Sequence, residues 1–426
     1  MGTVSSEKLK GIAAVSTGAS NLLSSGHFYW HYLGLVRHRQ VPPDVQFRLI
    51  GNQSLADVDA IPLFSERAHL RRFRVGLSTV SDYRFIAAKK TLRELENRRI
   101  RAFYVYEGSL ADLALILYLA PRSPKSFFLF NFFWPRDWSD FVDRSKCLRG
   151  LLTFALRKAP SNVRFTADTP KFAEYLSRKL DVEFDAFPGF SPYQFPERSR
   201  EQANQFDLLV MFKRSEELEF ALKVIEKASE ERDLRVAFHG PRAMLGVDGR
   251  PTVSPRASLK FFGSDLDHDS YVRLLTSTNT VLLSYLKSHY EFGSSGKLLD
   301  AHQAGCMVLV PEGSGVHSQV KHLRMQAAYP FSPGDPERTA QKILHLLDQS
   351  QRQRRPSRDF SNLVDYVFRL QKSNNGYKNS DQDSRFFDKS SWLVLLVAGI
   401  LYRLSSPAGL NWVAARLRSI RKNLLN

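Results

Sequence analysis

The chain has 426 residues, 43% hydrophobic and 12% aromatic, which is enough apolar matter for two ordinary cores and too much for a disordered protein. Its 61 lysines and arginines against 43 aspartates and glutamates leave a net charge of +18, which asks for an anionic partner: nucleic acid, a membrane surface or a phosphorylated ligand. Two cysteines, Cys147 and Cys306, are too few for a disulfide framework and fit a reducing compartment.

The first ten residues lack the apolar core of a secretory leader, so none is expected. Residues 12–15 read as a short buried strand, followed by a loop of small residues over 16–26 and an apolar helix from His27. Strands over 47–50, 102–106 and 127–134, an amphipathic helix over 91–97 and a last unit opening at 164–169 alternate as in a parallel α/β sheet. The polar run 196–205 reads as a linker.

A second alternating series follows, with strands over 208–212, 234–238, 259–262 and 280–285 and helices over 216–231 and 271–275. Between the third strand and its helix, Asp265, Asp267 and Asp269 stand at alternate positions, a pattern that can hold Mg²⁺ or Mn²⁺. Their place at a helix start favours Asp269 as an N-cap instead. No Cys/His cluster has zinc spacing, no Gly-x-Ser-x-Gly elbow occurs and no Walker loop is present, so neither a metal nor a cofactor is expected.

Residues 371–388 are rich in Asn, Ser, Asp and Lys and read as a flexible connector. The apolar run 392–401 is about half the roughly 20 residues a spanning helix needs. After Asp388 there is no acidic residue, and residues 410–425 mix Trp412, Val413, Leu417, Ile420 and Leu424 with cations, the composition of a basic helix lying in a membrane interface. A helical hairpin packed on the protein, or an oligomer contact, is the other reading of this tail.

The most informative stretch is 281–315. A buried strand runs into the turn Phe292-Gly293-Ser294-Ser295-Gly296-Lys297, then a helix whose apolar side is Leu298, Leu299, Ala301 and Ala304, then Gly305 as a helix end and a second strand over 306–311. Small residues let backbone approach a ligand, while the helix start offers unpaired N–H groups and the positive end of a dipole, so this order builds an anion site. Lys297 in the first helical turn opposes that dipole; it is either a surface lysine or a partner of the anion. Lys213 and Arg214 follow the strand 208–212 and are either site cations or a solvated strand-end pair. His239-Gly240 closes the strand 234–238 at the edge where α/β proteins bind ligands, or makes a turn with a satisfied histidine. Glu107 similarly follows the strand 102–106.

Glu291, the Phe292-Gly293 turn, Asp300, Ala301, Ala304, Gly305 and the following hydrophobic strand resemble the donor-binding motif of the GT-B glycosyltransferases, in particular the retaining family 4. The resemblance implies an α/β chain of two Rossmann-like domains facing a cleft: an acceptor-binding domain over 10–195, a nucleotide-sugar domain over 205–355 and a crossover helix over 356–370, to which composition adds the linker 371–388 and the membrane-associating tail 389–426. It implies a nucleotide-sugar donor as co-substrate, a glycan or lipid-linked acceptor and no metal.

By the same resemblance Glu291 meets the transferred sugar, Asp300 the ribose, and Gly293, Ser294, Ser295 and Gly296 line the donor site, which His239 and Gly240 would join from their strand edge. Arg214 takes the place of the cation after the first strand; the expected lysine five residues on is Glu219, so Lys213 or Lys297 would substitute. Gly26, His27 and Glu107 would face the acceptor. Eight residues separate Glu291 from Asp300 where the family has seven between two glutamates. The expectation is a hexosyltransferase-like enzyme working with retention in polysaccharide or lipopolysaccharide synthesis, in the cytoplasm, with its tail on an anionic membrane surface and no nucleic acid partner. A non-catalytic nucleotide- or glycan-binding protein of the same fold, and a nucleic-acid binder suggested by charge alone, are the alternatives.

Overall fold

The computed structural model describes residues 11–15, 45–52, 60–65, 83–133, 135–187, 189, 191, 193, 195–196, 205–241, 255–264, 266–286 and 288–350, with the isolated positions 370 and 395. Gly26, His27, the connector, and all but isolated positions of the linker, the crossover helix and the basic tail expected from the sequence lie outside these residues. The chain divides into two compact units: residues up to 168 with 173–187 belong to the first, and 169–172 with residues from 188 to 362 to the second.

The first unit is a parallel sheet of β1 (Gly11–Val15), β2 (Gln46–Asn52), β3 (Ala60–Phe64), β4 (Ile100–Gly108), β5 (Phe127–Phe132), β6 (Val163–Ala167) and β7 (Asp185–Ala186), in the order β3-β2-β1-β4-β5-β6-β7. All six residues of β5, Phe-Phe-Leu-Phe-Asn-Phe, are buried, as a strand covered on both faces requires. That strand stops at Phe132, earlier than expected, because Pro135 opens a helix, Pro135–Arg144, where its missing N–H costs nothing. Trp138 on this helix is fully buried and its Nε1 donates to the Gly108 carbonyl at 3.0 Å. The helix Leu110–Leu119 has no polar face and so no readable period; a capping box, Ser109 with Asp112, starts it.

The second unit repeats the plan with β8 (Phe206–Met211), β9 (Leu234–Gly240), β10 (Ala257–Gly263), β11 (Thr278–Leu283), β12 (Met307–Pro311) and β13 (Ala328–Phe331), all parallel, in the order β10-β9-β8-β11-β12-β13. Counted within the unit this is 3-2-1-4-5-6, the Rossmann order, and the first unit has the same order with one strand added. The two Rossmann-like parallel-sheet domains expected from the sequence are thus present. In such a sheet the strand order reverses beside the first strand, here between β8 and β11, and ligands bind outside the carboxyl ends of the strands at that point.

One detail is corrected. The helix after β10 runs His268–Thr276, and its N-cap is Asp267, which accepts from the Ser270 amide at 2.8 Å and the Ser270 hydroxyl at 2.7 Å. The helix begins earlier than its apolar spacing suggested, so Asp269 falls inside the first turn, where it faces the dipole without capping it.

Candidate active site

Four segments of the second unit converge at its switch point: the residues after β8, the end of β9, the turn after β11 and the start of the helix α1, Gly296–Gln303. The helix α1 is anchored from below, since Leu298, Leu299, Ala301 and Ala304 are at most 3% exposed, each buried leucine contributing roughly 2 kcal/mol. Its N-cap is Ser295, whose hydroxyl accepts from the Leu298 amide at 3.3 Å and lies 3.3 Å from the Tyr285 hydroxyl. At its other end Gly305 has φ +74°, a left-handed turn that a side chain would strain.

The glycine-rich turn is fixed rather than loose. The Ser295 amide donates to Gln319 Oε1 at 3.2 Å, the Phe292 carbonyl accepts from the Thr169 hydroxyl at 2.7 Å, and the Tyr290 carbonyl accepts from the Gly315 amide at 2.8 Å. A Cβ on Gly315 would come within 2.6 Å of the Gly293 oxygen, so only glycine lets the next loop lie under the turn. The amides of Gly296 and Lys297 have no protein partner among the described residues; of the turn's N–H groups these remain for a ligand, whereas that of Ser295 is committed.

Around this helix start stands an excess of cations. Lys297 is partly exposed, with its Nζ 3.3 Å from His239 Nδ1. Desolvation, and then the charge of Lys213, push the Lys297 ammonium down to about 7, against the opposing pull of Glu217 and Asp300. Lys213 is lowered too, by desolvation first, with Glu217 opposing and Arg214 adding to the shift; its Nζ lies over the Tyr290 ring, 5.9 Å from the centroid. His239, 5% exposed, is driven down to about 3 by burial and by Lys297, so at neutral pH it is an uncharged imidazole whose Nδ1 is free to accept from the ammonium. Tyr290 in turn stacks on Tyr285, with centroids 4.0 Å apart.

Glu217, which sequence reasoning passed over, supplies the local counter-charge. It sits in the first turn of the helix Ser215–Glu231, is fully buried, and takes the Lys213 amide on Oε2 at 2.7 Å. Its Oε1 has no hydrogen-bond partner among the described residues. The signal was present in Lys-Arg-Ser-Glu-Glu at 213–217: a glutamate in a first turn reaches back to a preceding amide, as in a capping box.

The structure gathers Lys213, Lys297, His239, Ser295 and Gly296; Asp300 lies within reach of the Lys297 charge but spends its oxygens on other partners, and Glu291 pairs elsewhere. Asp300 is 1% exposed and accepts from the Ser191 hydroxyl on Oδ1 at 2.6 Å and from the Tyr271 hydroxyl on Oδ2 at 3.0 Å. Burial pushes its carboxyl up to about 7 despite those two bonds and the charge of Lys297. Glu291 is exposed, 3.7 Å from Lys171 Nζ, which also donates to the Gly313 carbonyl at 2.9 Å. Arg214 Nη1 lies 2.6 Å from His289 Nε2. Gly240 is needed by its own core, because a Cβ there would meet the Phe212 ring at 2.6 Å. Gly293 has room, Tyr290 Cδ1 being 3.6 Å from its Cβ position, and Ser294 is half-buried in the same turn.

In the first unit Glu107 is 1% exposed at the carboxyl end of β4, beside β1 where that sheet's order reverses. Among the described residues no group of three or more His, Cys, Asp or Glu is placed to hold a metal. No described helix is long and apolar enough to cross a membrane.

No family model matches the sequence, and no curated protein matches it. Solved structures similar to it include the N-terminal domain of the trehalose-6-phosphate phosphatase of Candida albicans, 10% identical over 99% of this chain and 98% of that one, with a TM-score of 0.48. HepE of Anabaena, in complex with UDP and glucose, is 11% identical over 96% of this chain and 100% of that one, also at 0.48. The glycosyltransferase VinC in complex with dTDP is 11% identical over 85% of this chain and 100% of that one, at 0.43. Likeness at this level carries no argument about activity, which rests on the site itself.

Proposed function

We propose that the chain is a glycosyltransferase of the GT-B kind that moves a sugar from a nucleoside-diphosphate donor to a glycan or lipid-linked acceptor. The observation that carries this reading is the pair of depressed lysines, Lys213 and Lys297, at the start of a helix with two uncommitted amides. Two ammoniums crowded at the positive end of a helix are a costly arrangement in a free protein and a favourable one around a diphosphate. Glycosyl transfer from such a donor needs charge stabilisation on the departing diphosphate more than it needs a protein nucleophile. Lys213, Lys297 and the amides of Gly296 and Lys297 are the groups suited to that work, with Arg214 and neutral His239 beside them.

The finer parts of the proposal rest on the sequence. Retention of configuration, Glu291 on the transferred sugar, Asp300 on the ribose and the acceptor role of Gly26 follow from the family resemblance; the acceptor roles of His27 and Glu107 follow from their places beside that loop and at a strand end, action without metal from the absence of a ligand pattern, and a place in surface-polysaccharide synthesis on the cytoplasmic face of a membrane from the basic tail. Contact of the tail with an anionic membrane follows from the composition of residues 389–426.

One observation favours a second reading, a nucleotide- or glycan-binding protein without catalysis. Asp300 is sealed by Ser191 and Tyr271, and Glu291 is engaged by Lys171. A thermal-shift panel of UDP, dTDP, GDP and ADP, followed by the matching nucleotide sugars, tests both readings. A rise in melting temperature with at least one diphosphate, lost in Lys213→Ala/Lys297→Ala, supports the shared site. Release of that diphosphate from its sugar selects the enzyme; tight binding with no release selects the binding protein. No shift with any member contradicts both.

A further inference from the structure

We propose that the outer face of the helix α2, Lys146–Arg157 in the first unit, docks onto the surface of an anionic lipid bilayer. This helix buries Leu148, Leu152, Ala155 and Leu156. The same 3.6-residue period puts Lys146, Arg149, Gly150, Thr153, Phe154 and Arg157 together on the opposite side. Phe154 is 42% exposed.

That face borders an open groove of about 480 Å³, completed by Lys158, Lys179, Leu180 and Asp181. Five cations and one carboxylate line it. Arg157 pairs with Asp181, and Lys179 pairs with Asp143 at 2.7 Å outside the groove. Lys146, Arg149 and Lys158 form no direct ion pair among the described residues, Arg149 feeling Asp143 only at longer range. Gly150 adds a notch, since a Cβ there would meet nothing within 4 Å.

Charge and shape select the occupant together. Uncommitted cations at the rim of an exposed aromatic ring match a headgroup layer, which takes the ring into its acyl boundary and the ammonium and guanidinium groups at its phosphates. A soluble polyanion would satisfy the cations and leave Phe154 in water. The inference uses first-unit residues only and stands apart from the donor reading.

The chain carries its own probe. Cys147 is exposed on this helix, two turns before Phe154, while Cys306 is fully buried, so a polarity-sensitive fluorophore on the full-length protein reports on this face alone. Phosphatidylglycerol–phosphatidylcholine vesicles should shift its emission to the blue, and pure phosphatidylcholine should not. Arg149→Gln/Lys158→Gln should weaken the apparent vesicle affinity about 25-fold, from about fivefold per cation, and Phe154→Ser should remove the blue shift, both with unchanged thermal melting. Emission unmoved while the protein floats with anionic vesicles, an equal response to neutral vesicles, an equal response to free polyuridylate, or a double variant that behaves as wild type would each overturn the proposal.

Discussion

Lys297 gives the most demanding test of the donor site. With its ammonium near 7 in the free protein, about half the molecules carry the charge at pH 7. A bound diphosphate should restore the proton, because an adjacent anion favours the charged form. Above about pH 7.5 the terminal phosphate of UDP is itself fully ionised, so the two depressed lysines, Lys297 first and Lys213 beside it, set the slope. UDP affinity should then fall at least about tenfold per pH unit between 7.5 and 9.5. Binding at pH 9 should take up at least about one proton per UDP, read by calorimetry in two buffers of different ionisation enthalpy. Lys297→Arg keeps its charge throughout this range, so its affinity should fall less steeply with pH than wild type and its proton uptake should drop by about one, Lys213 alone remaining to titrate. A flat wild-type profile with no proton uptake, or the same slope in the arginine variant, would refute the reasoning.

Other outcomes follow from the same geometry. Asp300 titrates near 7 against an ordinary 3.8, so the folded state holds its proton longer than the unfolded chain, and this group's stabilising contribution is lost as pH rises across that window. Asp300→Asn should therefore exceed wild type in stability at pH 8, by up to roughly 4 kcal/mol, and match it near pH 4 in urea unfolding. Lys297 has the opposite sign: its proton is held longer by the unfolded chain between about 7 and 10.5, so Lys297→Met should raise the melting temperature at pH 7.5 while weakening UDP. Gly315→Ala pushes a methyl against the Gly293 oxygen and should cost about 1–3 kcal/mol, with weaker UDP binding in the same preparation. Glu291→Ala breaks only an exposed pair and should change stability by less than about 0.5 kcal/mol. If Glu291 meets the sugar, that variant should lose transfer at least about tenfold with UDP affinity unchanged.

Much of this was legible in the residues. Continuous apolar strands alternating with amphipathic helices gave both parallel sheets, and the small-residue turn before Lys297 located the helix start that the structure builds. What escaped had physical reasons. The helix Leu110–Leu119 is apolar on every side, so it shows no period. Asp300 was read as a carboxylate at a mouth because its partners are invisible locally: Ser191 lies 109 residues away along the chain and Tyr271 lies 29 away. The clustering of Lys297 with His239, 58 residues apart, likewise comes from strand order, which a linear pattern does not encode. Glu217 did carry a local signal, but its burial between two lysines is a tertiary fact.

The central claim is that the cations at this helix start hold the diphosphate of a sugar donor. Mass-spectrometric detection of nucleoside diphosphate released from a panel of nucleotide sugars tests it directly. The account predicts release from at least one donor by the wild-type chain and none above background by Lys213→Ala/Lys297→Ala. Equal release by that double variant, once shown to be folded, would contradict it.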